Sequence, residues 1–318
     1  MAFTFWTKRV AAMVAASFLL ILSAFPGMAQ NVQELAESAS KPHNIKTVFL
    51  IIMENHNWTG DRAGFELKGN TAAPYINFDL IPMASHATNY WNPPGNHPSL
   101  PNYLWLEAGT NFGVRGGSAV THSQGTHEHL TALLDQKGIS WKAYDESTHG
   151  TQCPLSNWHN PFVFFRDETN NNDFNSRRCI DHVRPFKEFK RDLADDNVAR
   201  YNFITPNICD SMHNRCGARS PILTGDDWLR ANVPAILNSK AYRSGGVLFI
   251  LWDEARVGDG PIPLIVLSPF AKGNGYANGL HYTHGSTLRT LQEIFGVGPL
   301  MRDAAKERDL RDMFTVFP

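Results

Sequence analysis

The sequence has no dense run of lysine or arginine, and its 29 basic and 30 acidic residues leave a formal net charge of −1. A chain so balanced lacks the electrostatic footprint of a nucleic-acid binder. Cysteine is scarce, with four residues and no pair at C-x-x-C spacing, which argues against a structural zinc site. No internal repeat or low-complexity segment stands out, which argues against a solenoid or array. Mean hydropathy is −0.29, too low for a polytopic membrane protein.

What is present is an ordinary globular balance, 42% hydrophobic and 19% charged over 318 residues. The start is different. "MAFTFWTKRV" carries Lys8 and Arg9, "AAMVAASFLLILSAF" is apolar, and "PGMAQ" offers Gly27 and Ala29 ahead of a cut. This order reads as a cleaved signal peptide over residues 1–29. The apolar stretch is shorter than the ~20 residues of a spanning helix, so no stable membrane anchor is expected after cleavage. A loose arm over 30–45 and one catalytic domain over 46–318 follow. Export to the periplasm or medium is the expectation. The four cysteines agree, because an even count in an oxidising compartment suggests two disulfides. Three connectivities are open; the simplest joins Cys209 to Cys216 and Cys153 to Cys179.

"KTVFLIIMENHN" places an apolar, β-rich run at 47–53 before Glu54-Asn55-His56. Such continuous runs mark strands buried on both faces of a parallel sheet. "ISWKAYDES", "YNFITPNICD" and "GGVLFILWDEA" repeat the pattern, each ending in acids or amides, and "PIPLIVLSP" adds a strand. Helical patterns lie between or after them: "HEHLTALLDQKG", "DDWLRANVPAILNS" and "GSTLRTLQEIFG", the last opened by Ser286 or Gly285. Alternation of this kind predicts an α/β fold with a mostly parallel central sheet flanked by helices. Residues of about 149–200 look irregular and read as an insertion over the site. In open α/β sheets ligands gather beyond the carboxyl ends of the strands, where these acids sit.

Glu54-Asn55 and Asp253-Glu254 each follow a buried strand, so four oxygen donors could converge on one hard divalent cation. Ser99, in "HPSLPNYLWLEAGT", lies between two prolines with no G-x-S-x-G around it, so the nucleophile elbow of an α/β-hydrolase is excluded. It is a turn residue, a helix cap, or a nucleophile activated by an adjacent metal. The thirteen histidines include His97, His213 and His284, each able to steady or protonate a phosphoryl oxygen. His122, His127 and His129 in "HSQGTHEH" resemble a metal tract, with exposed loop histidines as the plainer alternative.

Eight segments in order, "FLIIMENHNW", "HPSLPNYL", "ISWKAYDES", "HNPFVFF", "FITPNICDSMHN", "TGDDWL", "LFILWDEA" and "HYTHGSTLRTLQEIFG", resemble the phosphoesterase family of acid phosphatases and phospholipases C. That family belongs to the alkaline phosphatase superfamily. The resemblance covers roughly residues 46–297 and implies an alkaline-phosphatase-like fold. It further implies a metal-dependent phosphoric ester hydrolase, an acid phosphatase acting on phosphomonoesters through a phosphoserine. By position it makes Ser99 the nucleophile and assigns one divalent metal to Glu54, Asn55, Ser99, Asp253 and Glu254, with a second ion left open. His213 and His284 would contact the phosphoryl group. His97 is a weaker match with His86 as competitor, and Asp210 and Asp226 match acids of unassigned role. "ESTHGTQC" stands where the family has "ESMP", and "WHNP" where it has "RHNP", which bears on substrate choice. A phospholipase C or phosphodiesterase is the alternative, its lipid path lined by Trp58, Trp91, Trp158 and Phe162. A non-catalytic phosphoester-binding relative is the remaining reading.

Overall fold

The computed structural model describes residues 44–318. The expected signal peptide and nearly all of the expected arm lie outside the described residues. Nine strands form one sheet: β1 (Thr47–Met53), β2 (Ser85–Trp91), β3 (Trp141–Asp145), β4 (Val183–Pro185), β5 (Tyr201–Thr205), β6 (Gly246–Trp252), β7 (Ile262–Leu267), β8 (Tyr276–Asn278) and β9 (Tyr282–Thr283). Their order is β4-β3-β5-β1-β6-β7-β2-β8, with β9 also on β2. Only β7 runs against its neighbours, β6 and β2; every other pairing is parallel. The fold is α/β with a mostly parallel sheet, as the alternating pattern predicts.

All residues of β1, β5, β6 and β7 are buried. That is why they read as unbroken apolar runs and not as alternating ones. Five helices matter here: α1 (Ser99–Ala108), α2 (Leu130–Gln136), α3 (Phe186–Ala194), α4 (Pro221–Asn238) and α5 (His284–Phe295). α1 ends at Gly109, whose φ of 68° is the left-handed conformation that glycine adopts without strain. α5 is opened by Thr283, not by Ser286 or Gly285. The Thr283 side chain accepts from the Gly285 N–H, and Ser286 reaches back to the Thr283 N–H in a capping box.

Residues 149–200 divide into two parts. The second half is not an insertion over the site, because β4 pairs with β3 at the sheet edge and α3 follows it directly. A three-residue strand has too few positions to display a period, which hides it in sequence. Two disulfides join Cys153 to Cys179 and Cys209 to Cys216, the simplest of the three connectivities. Among the described residues no helix is long and apolar enough to cross a membrane.

Candidate active site

β1 and β6 are adjacent and parallel, with Met53 opposite Trp252. The residues after them therefore emerge at one level, and this register brings Glu54 and Asp253 together. The Asp253 N–H donates to the Met53 carbonyl at 2.9 Å, and the Asn55 N–H donates to Asp253 Oδ1 at 3.1 Å. Asn55 takes a left-handed φ of 44° to make this turn, a conformation that asparagine tolerates better than most residues.

Ser99 is the first residue of α1, neither a cap nor a turn residue. Its Oγ donates to Glu54 Oε2 at 2.8 Å. The N-terminus of α1 carries no side-chain cap, so its first N–H groups and the positive end of the helix dipole stand beside the serine. One turn on, the Tyr103 hydroxyl donates to Glu54 Oε1. Asn102 Nδ2 donates to Glu254 Oε2 at 3.1 Å, and His97 Nδ1 lies 2.6 Å from the same oxygen. Ser99 and the acids are thus tied together through one helix.

Glu54, Asp253 and Glu254 are 0%, 0% and 5% exposed. Burial pushes Glu54 up to about 7 and Glu254 to about 8. Burial and the Glu54 charge push Asp253 well above the carboxylate range. Among the described residues their partners are Ser99, Tyr103, Asn55, Asn102, His97 and His159, with no lysine or arginine. Asp253 Oδ2 is buried with no hydrogen-bond partner. As placed, the Asn55 side-chain oxygen faces only acceptors; turned over, its nitrogen would lie 3.1 Å from Glu54 Oε2 and 3.0 Å from Asp253 Oδ1. Three buried carboxyls crowded together, one with an orphaned oxygen, fit a hard divalent cation.

A cleft of about 590 Å³ opens over Ser99 and Asn55, with His159, His213, Trp158 and Ile208 on its walls. His213 rides on the loop that Cys209–Cys216 closes, and its Nδ1 lies 2.8 Å from Asn214 Oδ1. His159, absent from the expected site, stacks on Tyr103 and points Nε2 at Glu54 Oε1 from 3.5 Å. Burial and neighbouring His213 hold it down at about 4, hence neutral near pH 7. The "HNPFVFF" segment carried this histidine, but nothing in its spacing separates a cleft residue from a rim residue.

Several expectations need correction. His284 is wholly buried, with Nε2 on the Asp253 carbonyl and Nδ1 3.1 Å from the Tyr90 hydroxyl. The carbonyl can only accept, so Nε2 carries the proton and Nδ1 accepts from Tyr90. Neither nitrogen is free for a phosphoryl oxygen or a second ion, and His284 braces the strand end instead. Both nitrogens of His97 face carboxylates, Glu254 and Asp259, so it also orients the cluster. His86 packs edge-on against Trp58. Asp226 accepts from the Tyr75 and Ile76 N–H groups, and Asp210 from Asn207 Nδ2. Of the four aromatics on the expected lipid path, Trp58 and Phe162 are core residues at 3% and 1% exposure, and Trp91 leans on His281. Only Trp158 lines the cleft.

A second cluster, His129, Asp167 and Glu168, has donor atoms within 4.8 Å of one another. Its groups satisfy each other. His129 contacts Glu107 at 3.1 Å and Asp167 at 2.9 Å, while Arg178 holds Glu168 at 2.8 Å. His127 joins the same Asp167, whereas His122 contacts Thr121, so the histidine tract does not gather as one set.

The architecture is that of the alkaline phosphatase superfamily. A structure of such a protein from Vibrio parahaemolyticus superposes with a TM-score of 0.57 at 11% identity, covering 90% of this chain and 80% of that one. The chain belongs to the Phosphoesterase family, whose model matches residues 86–298. That span holds Ser99, His213, Asp253 and Glu254; Glu54 and Asn55 precede it. Similar curated proteins include a probable acid phosphatase of Kluyveromyces lactis, 25% identical over 71% of this chain and 52% of its own length. A phosphatidylinositol-3-phosphatase of Mycobacterium tuberculosis is 25% identical over 84% and 82%. The chain thus spans about half the length of the yeast relative and most of the mycobacterial one.

Proposed function

We propose that the protein is an exported, metal-dependent phosphoric ester hydrolase acting on phosphomonoesters, in the manner of the acid phosphatases to which it is similar. One observation carries this reading: Ser99 Oγ, at the uncapped start of α1 and at the floor of the cleft, donates to Glu54 within a cluster of three buried carboxylates. A divalent cation held by Glu54, Asn55, Ser99, Asp253 and Glu254 would neutralise phosphoryl charge and lower the pKa of the serine hydroxyl.

The chain's own residues do the rest. Glu54 Oε2 fixes the Ser99 rotamer and accepts its proton as the bond to phosphorus forms, returning it when the phosphoserine is hydrolysed. Ser99 Oγ attacks phosphorus in line, forming the serine–phosphorus bond as the bond to the leaving oxygen breaks. The free N–H groups of α1 receive the phosphoryl oxygens. His213, on the cleft wall, hands a proton to the departing alkoxide. Water then attacks the phosphoserine on the same path, releasing phosphate and restoring the hydroxyl. The two disulfides support export, since such bonds persist in oxidising compartments.

Acid-quenching the enzyme during turnover and mapping its peptides tests this directly. Phosphate is expected on Ser99, and a burst of labelled enzyme without phosphate there removes the assignment. A diester-cleaving reading draws on Trp158 and Ile208, 43% and 39% exposed on the cleft wall, which suit an apolar second substituent. Faster hydrolysis of p-nitrophenyl phosphorylcholine than of p-nitrophenyl phosphate would favour it.

A further inference from the structure

A second cleft of about 650 Å³ lies against the first. The two share a backbone wall. Ser147 faces the catalytic cleft while Thr148 and His149 face the second, and Ile208 faces the first while Asn207 faces the second. Neighbouring residues are ~3.8 Å apart along the chain, so this wall is one strand of backbone thick at two places.

The far side of the second cleft is the start of α3, with Pro185, Phe186, Lys187 and Lys190 on its lining. This nine-residue helix has no side-chain cap, so the positive end of its dipole reinforces the two lysines. Lys187 and Lys190 are exposed, three positions apart and on one helix face. The carboxylates nearest them in sequence are occupied: Glu188 by Arg184 and Arg191, Asp192 by Lys142 and Arg191. Neither lysine has an ion-pair partner among the described residues. The acid on the wall, Glu146, accepts from Trp228 Nε1 and from the Asn207 main-chain and side-chain N–H groups. Its oxygens are therefore engaged by these donors. Asn232, 6% exposed, is also on the lining. Thr148 and His149 belong to "ESTHGTQC", the segment where this chain departs from its relatives' pattern.

We propose that this cleft binds a second anionic group of the substrate. The enzyme would then prefer compounds with a phosphate or other anion distal to the phosphate being removed. The inference rests on the hydrolase reading above and names its substrate class.

Phosphate release from a hexose bisphosphate and from the matching hexose monophosphate would be measured in the parent and in the Lys187→Ala/Lys190→Ala protein. The bis-to-mono ratio of kcat/KM is expected to fall about tenfold in the variant, through KM, and Lys187→Arg/Lys190→Arg is expected to restore it. A ratio unchanged within about twofold overturns the proposal. Calorimetric binding of the bisphosphate, in a Ser99→Ala background with and without the lysine changes, reads the cleft without turnover. A Kd weakened about tenfold by the lysine changes supports it, and an equal Kd or no binding overturns it. Lysine-dependent binding by a parent that releases no phosphate would sink the hydrolase reading alone.

Discussion

Two regions of this molecule bury several carboxylates, and they differ in what balances them. Around His129 the protein supplies its own cations. His129 is raised to about 9 by Asp167 and Glu107 in spite of its burial, and Arg178 is ion-paired to Glu168 and Asp135. Around Ser99 the described residues supply no lysine or arginine, only the imidazoles of His97 on Glu254 and His159 near Glu54. Glu54, Asp253 and Glu254 crowd together, and the half-buried His159 and the buried His284 beside them are held down at about 4, chiefly by desolvation. Buried charge without a partner is costly. The first cluster carries its own counter-charges, while the second has few, as the proposed cation site requires. Under the proposed reading the same residue types serve stability in one place and chemistry in the other.

The largest expected effect lies on the incomplete side. Ser99→Ala is expected to lower kcat/KM for p-nitrophenyl phosphate at least ~1,000-fold, about 4 kcal/mol, with metal content by elemental analysis nearly intact. Retained turnover would remove Ser99 from the reaction. Next comes a paired substitution that opposes the two clusters. Glu107→Gln takes a buried partner from His129 and is expected to destabilise by ~3 kcal/mol, a drop in Tm of several degrees. Asp253→Asn replaces one of three crowded carboxyls and, in chelator, is expected to leave Tm level or higher while abolishing metal binding. Equal losses in both variants would erase the distinction.

A pH series sharpens it further. His129 is raised above its unfolded value near 6.5, so its contribution to stability is full below about pH 6.5 and lost as pH rises through about 9. Asp167 is lowered to about 2; its contribution is present above about pH 4 and lost as pH falls towards 2. Unfolding midpoints measured from pH 5 to 10 are therefore expected to decline over the alkaline half in the parent and less so in His129→Gln. The smallest effect is at the rim, where Trp158→Ala is expected to lower kcat/KM for an aryl phosphate about fivefold, ~1 kcal/mol, and leave that for a small alkyl phosphate nearly unchanged.

What could be read from the chain follows the physics of burial. β1 and β6 are buried on both faces, so their apolar runs and the acids after them are visible, and adjacency of the two strands then brings the acids together. β2, "SHATNYW", escapes notice because His86, Thr88 and Asn89 interrupt any apolar pattern, although it carries the β7, β8 and β9 pairings. Tyr103 looks like a core residue in an apolar helix and is buried as one, yet its hydroxyl serves Glu54. His284 shows the reverse. Its motif marks its place beside the site, but only the fold reveals that Asp253 and Tyr90 take both ring nitrogens. Sequence spacing locates a side chain along the chain and does not orient its ring.

The most direct test of the central claim is hydrolysis of p-nitrophenyl phosphate by the purified mature protein, before and after chelation, with single divalent metals added back. Turnover that disappears on chelation and returns with a metal, in the parent but not in Asp253→Asn, is the predicted result. Full turnover by chelated protein with no bound metal would contradict it.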